Sequence, residues 1–296
     1  SNLCRICDKI IQYCNVVREK NMQAKSICFI GGGNMAQAII FGLLKQGYPA
    51  NQITVSDPNA AKRQCLAEKG VNTVEASQTD TQDAVEKSEV LLLAVKPQMI
   101  AAVCQGLSAV DFSQKLVISI AAGVSVTKLQ SRLPTAKQIV RVMPNTPALV
   151  AEGMSGLFAQ DSLKPEYKQF TQDLLNAVGK TCWVTQEADM HTITAGSGSS
   201  PAYFFLFMEA MQQALCQMNM DEDTARLLVQ QSALGAAKMV MENPDLPIAT
   251  LRENVTSKGG TTAAALQVFN QQQLQHIVQQ AMQACVERSQ QMEKLF

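Results

Sequence analysis

The chain of 296 residues has one tryptophan, two histidines, few aromatics and no net charge at neutral pH. Each shortage narrows what it can be. Lysine and arginine together (25) are matched by aspartate and glutamate (25), with no basic run or stripe. Nucleic acid therefore has no electrostatic footprint to bind. Long hydrophobic runs are also missing. The longest, Val90 to Val95 and Tyr203 to Met208, fall far short of the ~20 apolar residues a spanning helix needs. The two histidines, His191 and His276, are remote from the one CxxC pair, Cys4 and Cys7, which has only Cys14 nearby. A zinc site wants four ligands, so no metal is expected. The nine cysteines are odd in number and sit mostly in apolar segments. They read as free or buried thiols of a reducing cytoplasm. The single tryptophan, Trp183, reads as packing.

This length suits two domains better than one core. Residues 1–21 stand apart as an N-terminal extension. Ile6, Ile10, Cys14 and Val17 recur at helical spacing there, so a short amphipathic helix is expected. Met22, just ahead of the first strand pattern, reads as a natural start. The expected division is 22–186 for a dinucleotide-binding domain and 187–296 for a helical one.

The first of these alternates strand and helix. Strands are expected at Ser26–Ile30, Ile53–Ser56, Val71–Val74, Val90–Val95, Leu116–Ile120 and Gln138–Val142, with helices between. Such alternation implies a Rossmann-like, doubly wound α/β sheet with both faces covered. Ser155–Ala159 and Thr181–Thr185, joined by a helix from about Pro165 to Ala177, would extend one edge. After the first strand comes Gly31-Gly32-Gly33-Asn34-Met35-Ala36, which fits G-x-G-x-x-G/A in the strand-to-helix setting the motif requires. Gly31 would make the tight turn, Gly33 would let a pyrophosphate approach, and Ala36 would let the helix pack on the sheet. The second strand ends in Ser56 and Asp57. An acid there bonds the ribose hydroxyls of NAD, whereas Ser56 with Lys62 and Arg63 could hold the extra phosphate of NADP. Further loops at the carboxyl ends of strands are Ala94-Val95-Lys96-Pro97, the small-residue turn Ala121-Ala122-Gly123, and Met143 to Pro147, where two prolines fix the Asn145 amide.

From Ala188 onward the pattern is helical. Ser200 is placed to cap a helix starting at Pro201. The stretch Ala202 to Met218 is apolar almost all round, so it must be buried on several sides, in part by another subunit. Asp221 starts the next helix and Asn243-Pro244 ends it. Leu251 to Val255 leads into Ser257-Lys258-Gly259-Gly260-Thr261-Thr262, followed by the helix former Ala263 to Leu266. From the residues alone this loop is either a helix start after a flexible turn or an anion site. Glycines allow close approach, and a helix start with hydroxyls beside it suits a carboxylate.

That loop, the run from Leu251 to Asn270 around it, and the AVKP, AAG and MPNTP loops resemble pyrroline-5-carboxylate reductases, in order and spacing from about Ser26 to Met292. The resemblance implies NAD(P)H-dependent reduction of the C=N bond of 1-pyrroline-5-carboxylate to L-proline. It implies substrate binding by Ser257, Gly259, Gly260, Thr261 and Thr262, with the Thr262 hydroxyl beside the ring nitrogen as the catalytic group. Cofactor contacts would come from Gly31, Gly32, Gly33, Asn34, Met35, Ser56, Asp57, Ala94, Val95, Lys96, Pro97, Ala121, Ala122, Gly123 and Asn145, with Asn254 near the cofactor. NADPH is favoured over NADH. A cytoplasmic homodimer of interlocked helices is implied, with larger rings up to a decamer as a further assembly. Two rivals are a β-hydroxyacid dehydrogenase and a dinucleotide-sensing module without turnover. The first needs a lysine early in its second domain, and none occurs between Lys180 and Lys238. The intact SKGGTT loop speaks against the second.

Overall fold

The structure, a computed structural model, describes residues 23–296. The extension, its expected helix and the Cys4/Cys7 pair lie outside those residues. The chain divides into two compact units, one running to Met190 and taking in Met292–Phe296, the other His191–Gln291.

The first unit is built on one sheet of eight strands: β1 Ile27–Ile30, β2 Ile53–Ser56, β3 Asn72–Val74, β4 Val90–Leu93, β5 Leu116–Ser119, β6 Gln138–Met143, β7 Gly153–Ala159 and β8 Gly179–Trp183. Their order is β3-β2-β1-β4-β5-β6-β7-β8. All neighbours are parallel except β6 and β7. Strand order reverses between β1 and β4, and such a switch point is where open α/β sheets bind ligands. The two strands at the switch point, β1 and β4, are short and wholly apolar, as suits strands covered on both faces. Successive side chains serve opposite faces. Ile27 and Phe29 thus join one buried cluster, while Cys28 and Ile30 join the other.

Helix α1 (Asn34–Lys45) covers the first face with Ala36, Ala38, Ile39, Ile40 and Leu43. The face also takes Leu66 of α2 (Ala60–Ala67) and Phe170 and Leu174 of α6 (Pro165–Asn176). The other face is covered by Val85 of α3 (Gln78–Glu86), Ile100 and Cys104 of α4 (Ile100–Gly106), and Val126 and Leu129 of α5 (Val126–Arg132). Each fully buried Ile, Leu or Phe contributes about 1.5–3 kcal/mol. Trp183 packs at the β8 edge, its Nε1 donating to Gln172 Oε1 at 3.0 Å.

The second unit is helical: α7 (Asp189–Ile193, shared at the boundary), α8 (Ser200–Gln217), α9 (Glu222–Glu242), α10 (Ile248–Asn254), α11 (Thr261–Gln271) and α12 (Leu274–Glu293). Asp221 caps α9, its Oδ2 accepting from Thr224 N–H at 2.8 Å. Ser200 differs from its expected role. It lies inside α8, and Ser199 holds the cap position without a side-chain cap bond. The Ser199 hydroxyl instead takes a bond from Cys285 Sγ at 3.5 Å.

Candidate active site

The glycine turn is dictated by what lies beside it. Gly31 has φ +102°, and a Cβ there would sit 2.4 Å from the Ala94 carbonyl oxygen. Only glycine fits on both counts. Its N–H donates to Ser56 C=O (2.9 Å), which ties the turn to the end of β2. At Gly33 the opposite holds: an added Cβ would meet nothing within 4 Å. The protein's own packing gives no reason for glycine there, so the open space suits a ligand. Gly33 is also the N-cap of α1, with no side-chain cap bond and no acid in the first turn. The helix start thus offers N–H groups and positive dipole without a competing anion. Asn34 is exposed and Met35 half-buried at this start. The residues fit a dinucleotide pyrophosphate.

Asp57 is buried, and its carboxylate is engaged. Oδ2 accepts from Gly32 N–H at 2.8 Å and Oδ1 from Asn59 N–H at 2.7 Å. It braces the glycine turn from the end of β2. Ser56 is buried too, its hydroxyl 2.7 Å from that of Thr81. Arg63 folds back onto the same corner, Nη1 donating to Asp57 C=O at 2.8 Å. Lys62 is exposed on α2.

The other loops expected to line a cofactor leave the same edge of the sheet, since β1, β4, β5 and β6 run parallel. Ala94 and Val95 are half-buried past β4. Lys96 is exposed and caps a 3-10 turn opened by Pro97. Past β5 come Ala121, Ala122 and Gly123, the last at φ +73°. Past β6, Asn145 is buried and its Oδ1 accepts from Met154 N–H at 2.8 Å, so its amide is held as the flanking prolines predict. Gly31 through Met35, Ser56, Asp57, the AVKP and AAG loops and Asn145 therefore belong to one unit. Asn254 and Ser257–Thr262 belong to the other.

In that second unit Asn254 ends α10 and is exposed. The chain then turns through Gly259 (φ +71°) into α11, which begins at Thr261 with Gly260 as N-cap. A Cβ on Gly260 would lie 2.5 Å from Ser257 Oγ, so the serine hydroxyl folds over the turn only because glycine is there. No side chain caps α11 and no acid sits in its first turn. Its first backbone bond runs from Ala264 N–H to Gly260 C=O (3.2 Å), ahead of which stand the N–H groups of Thr261 to Ala263. Ser257 and Thr261 are exposed and Thr262 is half-buried. The loop offers hydroxyls, backbone donors and the exposed Lys258, and no carboxylic acid or imidazole. It can hold an anion and hydrogen-bond a ring nitrogen, but a reducing equivalent must come from a bound group.

Sequence reasoning missed the engagement of Asp57, the Ser56–Thr81 pair and an ion cluster around the buried Arg141 on β6. There Arg141 Nη1 meets Glu187 Oε1 at 3.0 Å and Glu293 Oε1 at 2.8 Å. The first had a legible signal. In Asp57-Pro58-Asn59 an aspartate can accept from the N–H two residues on, a turn that this side chain commonly makes. The other two join residues 25 and 152 positions apart and leave no local trace.

Comparison with known proteins agrees with this geometry. Residues 187–292 match the family model described as pyrroline-5-carboxylate reductase dimerisation, and residues 26–123 the one described as NADP oxidoreductase, coenzyme F420-dependent. A curated pyrroline-5-carboxylate reductase of Pasteurella multocida (strain Pm70) is 98% identical over 275 residues, covering 93% of this chain and 100% of its own length. Among solved structures, a pyrroline-5-carboxylate reductase from Coxiella burnetii superposes with a TM-score of 0.84 at 38% identity, covering 91% of this chain and 99% of that one. The Plasmodium falciparum pyrroline carboxylate reductase with NADP bound gives 0.80 at 28% identity, covering 92% and 100%. The chain belongs to the pyrroline-5-carboxylate reductase family.

Proposed function

We propose that this member of the family reduces 1-pyrroline-5-carboxylate to L-proline with NADPH or NADH, the last step of proline synthesis. The observation that carries the proposal is the loop Ser257–Thr262. It is an uncapped helix start ringed by hydroxyls, in a chain whose other unit holds an open glycine cradle. When bound, the reduced nicotinamide supplies the hydride. The cradle at Gly31–Met35 takes the pyrophosphate, and the loops at Ala94–Pro97, Ala121–Gly123 and Asn145 line the cofactor, with Asn254 contributing from the helical part. Residues 22–186 form the cofactor domain, and 187–296 the helical dimerisation and substrate domain.

Ser257, Gly259, Gly260 and Thr261 hold the substrate carboxylate with N–H and O–H donors. The Thr262 hydroxyl bonds the ring nitrogen and fixes which ring carbon faces the hydride. A hydroxyl is a weak acid, so the substrate arrives as the iminium. Hydride adds to its carbon, and the C=N π electrons pass to nitrogen, leaving the secondary amine. The protein's share is orientation and charge placement rather than strong-acid catalysis.

The exposed apolar faces of the helical unit support a homodimer, and assembly of dimers up to a decamer extends the proposal. Free cysteines and the lack, among the described residues, of any helix long and apolar enough to cross a membrane are in keeping with a cytoplasmic enzyme. The test is a steady-state assay of pyrroline-5-carboxylate with each cofactor, with proline-dependent reduction of NADP⁺ as the reverse check. Turnover in both directions is expected, and nucleotide binding without turnover would reduce the chain to a sensing module.

A further inference from the structure

At the carboxyl end of β2 the two residues that face a ribose in this type of sheet are already engaged. Asp57 is 5% exposed and holds Gly32 and Asn59, and Ser56 is 3% exposed and holds Thr81. Of the two cations at this corner, Lys62 is exposed, whereas the Arg63 guanidinium is held and divided. Nη1 is tied to the Asp57 carbonyl at 2.8 Å, and Nη2 lies 3.6 Å from Glu75 Oε1, one residue beyond β3. The arginine side chain is 18% exposed and the glutamate side chain 75% exposed. A guanidinium so held is pre-positioned at the corner where an arginine receives the extra 2′-phosphate of NADP. The edge it would turn towards that phosphate is the one the carboxylate occupies.

We propose that Glu75 moderates the preference for NADPH over NADH by competing with the 2′-phosphate for Arg63. This rests on the NAD(P)H-dependent activity proposed above. A 2′-phosphate must displace the carboxylate from Nη2 and accept its negative charge as a neighbour. The neutral 2′-hydroxyl of NADH does neither, so Glu75 acts against one cofactor and is indifferent to the other. Asp57 contributes less to the discrimination than its position implies, because both its oxygens serve the backbone. The exposure of Glu75 keeps the effect small. Solvated pairs of this kind shift equilibria by about two- to fivefold, and salt weakens them further.

The test is calorimetric binding of NADPH, NADH and adenosine 2′,5′-bisphosphate to the full-length oligomer, comparing wild type, Glu75→Gln, Arg63→Gln and the double variant. Glu75→Gln should tighten NADPH and the bisphosphate about two- to fivefold and leave NADH within about 1.5-fold. The gain should vanish in the Arg63→Gln background, and Arg63→Gln alone should weaken NADPH far more than NADH. Equal tightening of NADH, no tightening of NADPH, or a gain that survives without Arg63 would each overturn the inference. Normal nucleotide binding with no reduction of pyrroline-5-carboxylate would overturn the proposed reaction and leave this inference standing.

Discussion

The two units bury their apolar residues in opposite ways. In the first, large side chains from six of the eight strands and from the helices over both faces close into two clusters, and Phe29, Ile39, Leu92 and Ile118 have no exposed surface. In the second, the buried residues are His191, Ala195, Ser200, Ala225 and Val229, while Phe204, Phe205 and Leu206 are each more than 60% exposed. Phe207 packs on Phe269 with ring centroids 5.9 Å apart, yet is itself 44% exposed. Monomeric proteins rarely leave such contiguous apolar surface open. The first unit completes its own core, whereas the second leaves its apolar helix faces open, in keeping with the match of residues 187–292 to a dimerisation family model. The proposed binding elements differ in the same sense. Those of the first unit are braced from within by Asp57, Asn145 and the Gly31–Ala94 contact, and those of the second stand on an exposed loop.

The sharpest way to break this comparison is to charge the helical surface. Phe205→Glu with Leu206→Glu would force carboxylates into the proposed subunit interface, where burying an unpaired charge costs several kcal/mol. Sedimentation should show separated subunits, and activity should fall by about 10³-fold or more, while NADPH binding by the first unit persists. A stable, active monomer would show that the second unit is complete alone.

Next in size is Gly260→Val. Its Cβ would lie 2.5 Å from Ser257 Oγ and 3.1 Å from Ser257 O, so the turn must open. We expect kcat/KM for pyrroline-5-carboxylate to drop by about 10²- to 10⁴-fold, the range of a lost positioning group. The affinity for NADPH should not change, because the loop and the cradle belong to different units. Parallel losses of both would contradict that division.

Arg141→Met probes the bracing of the first unit. Arg141 is 5% exposed and its carboxylate partners, Glu187 and Glu293, 25% and 29%. Removing the cation leaves two half-buried acids together. Fully buried pairs cost ~3–5 kcal/mol to break this way, and the partial exposure here brings the expected loss to about 1–3 kcal/mol. Urea unfolding followed at Trp183 should show it as a lower midpoint.

A smaller effect should appear at alkaline pH. Burial pushes the Cys28 thiol from 9.0 up to about 12 and the Tyr48 hydroxyl from 10.0 up to about 12. Both groups favour the neutral form in the folded state. Their contribution is whole below pH 9 and is lost as pH rises towards 12, because the unfolded chain releases its protons first. The melting temperature should decline from about pH 9 upward, and Cys28→Ala should flatten that decline.

Much of the first unit could be read along the chain because its signals are local. Apolar runs of four, the glycine turn and its following helix, and prolines beside Asn145 each act within a few residues. Strand ends were less legible. Val90–Val95 stops as a strand at Leu93, since Ala94 already turns against Gly31. The β8 strand begins at Gly179 rather than Thr181 because its pairing with Gly153 starts there. The cap expected at Ser200 failed because the helix starts one residue earlier. The Asp57–Asn59 turn was open to local reading, but the bond from Gly32 to Asp57, the Ser56–Thr81 pair and the Arg141 cluster depended on tertiary partners and could not be seen. For the substrate loop, the sequence gives the turn and the helix start, and the structure adds that no side chain caps it.

The most direct test of the account is removal of the Thr262 hydroxyl. Thr262→Ala should lower kcat/KM for pyrroline-5-carboxylate by about 10²-fold or less, the lower end expected for a proton-assisting group acting on a substrate that is already an iminium. NADPH binding should be unchanged, Thr262→Ser should keep most activity, and lower pH should partly rescue the alanine variant by raising the iminium fraction. Wild-type rates for Thr262→Ala at neutral pH would contradict the account and leave the loop as a helix start and nothing more.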